Sequence, residues 1–345
     1  MKILLLLLSL TPFLSAEPLK LTLPTDNRAL LEGELKDYYM YTHRNFDGKA
    51  TRPWTAGQYG FVRTLRRTEG DGIIATKFHE GIDIKPTKRD RNNNPLDEVR
   101  AIANGQVVYV NKNRAGSNYG IYIVIQHDWG YGPFCSLYAH LSKTQVEVGQ
   151  RILGGSPIGT LGYTGDGINR ERAHLHLELA MIATVNFSDW LGAESTRGLY
   201  DGRNLIGIDI ASLFQALSAN PKITIPQFLS GTTPYYKVAV PRTSQPLEIV
   251  QRYPWLAKGN HKKPSHSWEI SFSDSGIPLA VAPSFRAVKK PAITFVRTTR
   301  SNHLYYTQRR VTGTGNNATL TKSGKKFIAF FTNEYTKPKA TNVVK

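Results

Sequence analysis

Three short stretches of this sequence carry side chains that bind metals, at spacings that let them meet. Phe78-His79-Glu80-Gly81-Ile82-Asp83 offers an imidazole and a carboxylate, with Gly81 between them so that the backbone can bend. Ala173-His174-Leu175-His176-Leu177-Glu178 reads as a strand, on which residues two apart share a face. His174, His176 and Glu178 therefore look one way, and Leu175, Leu177 and Leu179 look toward a core. Tyr138-Ala139-His140-Leu141 adds a further imidazole between the two stretches. The chain has nine histidines, and these four stand in patterned positions. A catalytic zinc takes three protein ligands from His and Asp/Glu and keeps a fourth position for water. The set contains those donors, with two imidazoles beyond the three needed. His127 precedes a turn and reads as structural. His43, His261, His266 and His303 stand in no pattern.

The elements that must position these residues are β-rich. From Ile73 to about Ala183 come short apolar runs such as Gly105–Val110 and Gly120–Ile125, separated by turn signals, which predicts antiparallel β-structure. Gly149, Gly154, Gly155, Gly159, Gly162, Gly165 and Gly167 suit turns that need positive φ. The fold class expected is mainly β, an antiparallel β-sandwich or half-barrel. Arg28 to Tyr39 suggests a short helix before it. Asp209 to Ala219 predicts an amphipathic helix, with Ile210, Leu213, Phe214 and Leu217 on one face and Asp209 as its cap. Trp268–Phe272 and Lys326–Phe331 read as strands. The expected division is a leader (1–16), a lead-in (17–71), the β-rich domain carrying the metal residues (72–185) and a basic C-terminal region (186–345).

From His79 to Ala180 the sequence resembles the core of the LytM/lysostaphin-type M23 zinc metallopeptidases. The resemblance rests on the H-x-G-x-D segment, on VRAIANGQVVYV (99–110), YGIYIVIQH (119–127) and LYAHLSKTQVEVGQRILGGSPIG (137–159), and on LGYTG (161–165) and HLHLE (174–178). It implies that His79, Asp83 and His176 hold one zinc per chain and that His140 and His174 form the catalytic pair. Glu178 is then either support for a ligand or an ordinary strand residue. The implied activity is endopeptidase cleavage of peptidoglycan stems or cross-bridges through a metal-activated water, falling off below about pH 6 as the imidazoles protonate. Where family members carry a short Gly-Pro turn before H-x-H, this chain has the longer, charged loop Gly165 to Ala173, which bears on substrate preference. The resemblance also implies that a preceding segment can cover the cleft in latent relatives, with Asn27 and Asn45 as donors to test. Some proteins of this fold have lost ligands and act as binding modules that activate separate amidases; here all five residues are present.

Met1-Lys2, an apolar run from Ile3 to Leu10 and a small-residue exit at Ser15-Ala16 read as a secretory signal peptide, too short to span a bilayer. Export to the periplasm or the cell exterior follows as the expectation, with no transmembrane segment in the mature chain. The one cysteine, Cys135, lies in an apolar run and reads as a small buried hydrophobe. Net charge is +18, and from Tyr236 to Lys345 there are 19 Lys and Arg against 4 Asp and Glu. That surplus favours a polyanionic partner. The leader points to peptidoglycan, an anionic wall polymer or a membrane surface, and the lack of a nucleic-acid motif argues against DNA or RNA.

Overall fold

The structure is a computed structural model, and it describes residues 19–115, 117–191, 198–243 and 246–333. The leader read at 1–16 lies outside the described residues. None of the described helices is long and apolar enough to cross a membrane. The fold is mainly β and antiparallel, as the short apolar runs require.

The lead-in begins with two helical turns, α1 (Ala29–Glu32) and α2 (Leu35–Tyr38). A single helix was expected here. Gly33 breaks it by taking a left-handed conformation at φ +83°. Two hairpins follow: β1 (Arg44–Phe46) with β2 (Lys49–Thr51), and β3 (Gly60–Thr68) with β4 (Gly72–His79). The short β5 (Ile82–Ile84) leads to β6 (Glu98–Arg100), β7 (Gly105–Asn111), β8 (Ile121–Asp128) and β9 (Pro133–Leu141). Then come β10 (Lys143–Thr144), β11 (Arg151–Ile152), β12 (Pro157–Thr160) and β13 (Leu175–Ile182). Beyond residue 186, α3 (Phe187–Leu191) precedes β14 (Leu205–Ile208).

The main sheet runs β11-β7-β8-β9-β13-β14, with β5 also on β13; β10-β12-β6 form a second, smaller sheet. Strand β8 shows why the sheet lies in the middle of the protein. Ile121, Ile123 and Ile125 feed one apolar cluster, whereas Tyr122 and Val124 feed another on the opposite face. Val99 of β6 and Ile158 of β12 join the first cluster, so the small sheet closes over that face. Burying a side chain of this size contributes about 1.5–3 kcal/mol, which strands covered on both faces gain repeatedly. Cys135 is fully buried in the second cluster, and burial pushes its thiol up to about 12.

The C-terminal part continues with α4 (Ile210–Ala219), α5 (Ile225–Ser230), β15 (Tyr236–Pro241) and α6 (Glu248–Arg252). Then come β16 (Ser267–Phe272), β17 (Pro278–Ser284), β18 (Ala292–Val296) and α7 (Lys322–Thr332). The expected helix at 209–219 is present, and the Asp209 side chain accepts the Ser212 N–H. Strands β15–β18 form a four-stranded sheet in the order β17-β16-β15-β18. The run Lys326–Phe331 is helix rather than strand. Phe327, Ile328, Phe330 and Phe331 are spaced to line one helical face, and they are buried. Thr321 caps the start by accepting the Gly324 N–H. Of the seven glycines read as turn formers, Gly149, Gly155, Gly165 and Gly167 have positive φ. Gly154, Gly159 and Gly162 do not; at Gly162 an added Cβ would lie 2.4 Å from the Ser142 nitrogen, so close packing is what excludes a side chain.

Candidate metal centre

Strand pairing brings the distant residues together. β13 lies antiparallel to β5 with His176 opposite Asp83, and antiparallel to β9 with His176 opposite Ala139. His79 ends β4 and the chain turns through Gly81 into β5. A Cβ on Gly81 would come within 2.3 Å of the Leu177 carbonyl oxygen, so the close approach of this turn to β13 requires glycine.

The result is a buried cluster in which His79 Nε2, Asp83 Oδ1 and His176 Nδ1 face one another. The separations are 3.1 Å from His79 to His176, 3.1 Å from His79 to Asp83, and 3.0 Å from His176 to Asp83. The far nitrogens settle the tautomers. His79 Nδ1 lies 2.7 Å from the Gln58 carbonyl, and His176 Nε2 lies 2.8 Å from Glu178 Oε1. Both partners only accept, so both far nitrogens donate, and the facing nitrogens are the ones that give a lone pair to a metal once free of a proton. Without a metal, the Arg63 guanidinium and a proton on His176 balance the charge of Asp83. Ligands about 2.0–2.1 Å from a tetrahedral zinc lie roughly 3.3 Å apart, close to the spacing seen, and two nitrogens with one carboxylate oxygen suit that ion. The residues fit the metal.

The electrostatics agree. Burial pushes His79 down to about 4, so it is neutral across the physiological range. For His176 burial works against the charge, but Asp83 and Glu178 outweigh it and carry the ring up to about 9 when a proton is the only cation present. Burial likewise opposes ionisation of Asp83, yet His79, His174 and Arg63 hold it well below the usual carboxylate range.

His174 and His140 stand beside this cluster. His174 Nδ1 donates to the Arg172 carbonyl at 2.6 Å, and its Nε2 lies 3.4 Å from Asp83 Oδ1. His140 Nδ1 donates to the Thr164 carbonyl at 2.8 Å, and its ring centre is 4.7 Å from that of His174. Burial, helped by His174 and His176, keeps His140 well below its ordinary pKa. His140 also sits in the left-handed region at φ +61°, a conformation costly for a residue with a Cβ and concentrated at functional sites.

All six residues singled out from the sequence therefore meet at one place. Glu178 accepts from both His176 and Tyr119, the latter at 2.7 Å, so it orients a ring of the cluster. His127 spans the Asn104 carbonyl and Ser136 away from the cluster, as a structural residue would. Asn27 is spent on the backbone of Asp37 and Lys85, and Asn45 pairs within the β1–β2 hairpin.

What reaches the cluster from the lead-in instead is Arg63. Its guanidinium bonds Asp83 Oδ2, lies 3.0 Å from His79 Nε2, and donates from Nε to the Ala56 carbonyl. Sequence reasoning missed it because Arg63, Arg66 and Arg67 look alike in a basic strand. A register shift between Phe61 and Arg63 re-aims one of them inward. Tyr119 was missed as well, since a lone tyrosine carries no spacing signal.

The cluster opens into a cleft of about 940 Å³. The loop from Gly165 borders it through Asp166, Ile168 and Arg172. One wall comes from beyond residue 186, through Trp190, Arg203, Arg310, Lys326, Phe327 and Phe330. Aromatic packing builds that wall: Phe330 lies 4.7 Å from Trp190, and Phe331 lies 5.3 Å from Phe272.

Residues 77–186 match the model of Peptidase family M23. No curated protein matches the chain. Solved structures similar to it include a structure from Pseudomonas aeruginosa titled as peptidase M23, at 26% identity over 33% of this chain and 44% of that one, with a TM-score of 0.24. A zinc containing peptidase from Vibrio cholerae is 24% identical over 35% of this chain and 36% of that one, with a TM-score of 0.24. The catalytic domain of the antimicrobial peptidase lysostaphin from Staphylococcus simulans is 26% identical over 36% of this chain and 76% of that one, with a TM-score of 0.25. The chain thus spans less than half the length of the first two. The stretch from Lys77 to Asn186 that resembles Peptidase family M23 takes in the whole of the His79–Glu178 cluster.

Proposed function

We propose that this chain is a zinc-dependent endopeptidase acting on peptide bonds of bacterial peptidoglycan, with His79, Asp83 and His176 as ligands and His140 and His174 as the catalytic pair. One observation carries the reading: two imidazole nitrogens and a carboxylate oxygen converge at about 3 Å in the lining of an open cleft, with two further imidazoles alongside. Zinc, when bound, supplies a Lewis acid and lowers the pKa of its water to about 7. The chain's own residues do the rest. Gln58 and Glu178 fix the ligand tautomers. His140 and His174 spend Nδ1 on backbone carbonyls and so keep Nε2 for a proton. His140, held neutral, is in the form that accepts one. Arg63 bonds Asp83 Oδ2 and lies against His79 Nε2.

Retention of all five ligand and catalytic residues supports an enzyme over a non-catalytic module of the same fold. Peptidoglycan lies outside the cytoplasm, in keeping with the leader read at 1–16, and the basic C-terminal region suits an anionic wall. Metal analysis of the purified chain should find about one zinc, lost in His79→Ala. Digested sacculi should show new peptide ends in their muropeptides. Sacculi that are bound while their muropeptides stay unchanged would leave a binding module in place of the enzyme.

A further inference from the structure

We infer that the part of the cleft lined from beyond residue 186 is a carboxylate subsite, with Arg310 and Lys326 as its cations, and that the substrate is a peptide bearing a free carboxylate near the bond that is cut. The inference rests on the peptidase reading and narrows it, since an uncharged glycine bridge offers nothing for this wall to bind.

The charges lining the cleft are unevenly paired. Arg63 is matched by Asp83, and Arg203 by Asp201. Among the described residues, no carboxylate stands within ion-pair distance of Arg310, Lys326 or Lys77, although all three line the cleft. Glu80 acts on Arg310 only from beyond that distance. Arg310 is also held in place. Its guanidinium lies 3.8 Å from the centre of the Phe327 ring, and its acceptors are neutral: the Ser275 carbonyl and, at 3.1 Å, Gln308 Oε1. The backbone is fixed too, because the Arg310 carbonyl takes the Thr321 N–H just before α7. A partly buried, pre-aimed guanidinium without a counter-ion is the donor that a carboxylate fits best, because its planar fork matches both oxygens. Lys326, exposed on the same helix beside Trp190, adds a second positive charge at the mouth. The metal residues line the same cleft. A peptide bound in it can therefore present its scissile bond to them and its carboxylate to Arg310 and Lys326.

A peptidoglycan stem carries such a group in two places, the C-terminal carboxylate of a D-Ala-D-Ala end and the α-carboxylate of its γ-linked D-Glu. Binding is measured by calorimetry on the zinc-loaded full chain carrying His174→Ala. The probes are a synthetic stem pentapeptide with both carboxylates free, the same peptide amidated at the C-terminus, and the same peptide amidated at D-Glu. Amidation at one of the two positions should weaken binding about tenfold, the size of a lost charge-assisted hydrogen bond, and so identify the carboxylate recognised. Arg310→Gln, and independently the exposed Lys326→Gln, should bring the free acid toward the amide while leaving the amide's affinity unchanged. Equal affinity for all three peptides, or no binding of any, overturns the subsite. Turnover of the same peptides by the chain with His174 intact separates the two ideas. Discrimination with no cleavage of these peptides or of sacculi keeps the subsite and removes the peptidase reading, and cleavage without discrimination does the reverse.

Discussion

At the scale of single residues, the cluster contains two imidazoles of the same chemical type in opposite states. His79 is pushed down to about 4 by burial, and His176 is carried up to about 9 by Asp83 and Glu178. Both rings touch Asp83, but at His79 burial and the Arg63 guanidinium win, whereas at His176 a second carboxylate, Glu178, tips the balance. The sign for metal binding is direct. Zinc needs the lone pair that the His176 proton occupies, so binding must release that proton at any pH below about 9. Apparent zinc affinity, measured by chelator competition, should rise by about tenfold per unit between pH 6 and pH 8. His79 adds no further proton over that range. A flat profile would mean that His176 is not a ligand. In the metal-free chain the raised His176 stabilises the fold below its unfolded pKa, and that contribution disappears as pH climbs through about 9.

At the scale of elements, the placement of the cluster depends on a glycine turn and two strand registers. Gly81→Ala puts a methyl against the Leu177 carbonyl and must push β5 off β13, moving Asp83 relative to His176. We expect a melting temperature several degrees lower and zinc affinity at least tenfold weaker, read by thermal unfolding and competition titration. Wild-type values for both would show that the turn has slack to spare. This scale also marks how far the sequence could be read. Period-two alternation around His174 and His176 carried real information, because a strand admits only two faces. The helix at Ile210–Ala219 was legible from its cap and its stripe. Phe327–Phe331 was not, because two adjacent apolar pairs separated by one small residue satisfy a short strand and a helix equally, and the packing of α7 against Phe272 and Trp190 decides. Arg63 was illegible for a different reason, since its aim depends on a bulge that no local residue preference announces.

At the scale of the whole molecule, the part beyond residue 186 does more than follow the metal-bearing segment. It completes the cleft, it packs its own aromatic residues into the same apolar cluster, and it carries most of the net positive charge. Removing it wholesale would strip core along with charge, so its role at a wall is better tested on its surface. Arg286, Lys289 and Lys290 are exposed together between β17 and β18. Changing all three to Gln should weaken pelleting with purified sacculi and flatten its dependence on salt, while leaving zinc content and the melting temperature as they were. Unchanged pelleting would place wall affinity elsewhere.

The pairing of β14 with β13, from Leu179 opposite Ile208 to Ile182 opposite Leu205, bears on how the protein can be dissected. Cut out alone, residues 77–186 would leave Leu179–Ile182 at a new sheet rim as a row of bare amides and carbonyls, an invitation to a second copy. Such a fragment should run as aggregates or strand-exchanged pairs in size-exclusion chromatography, and extending it to residue 208 should return a monomer.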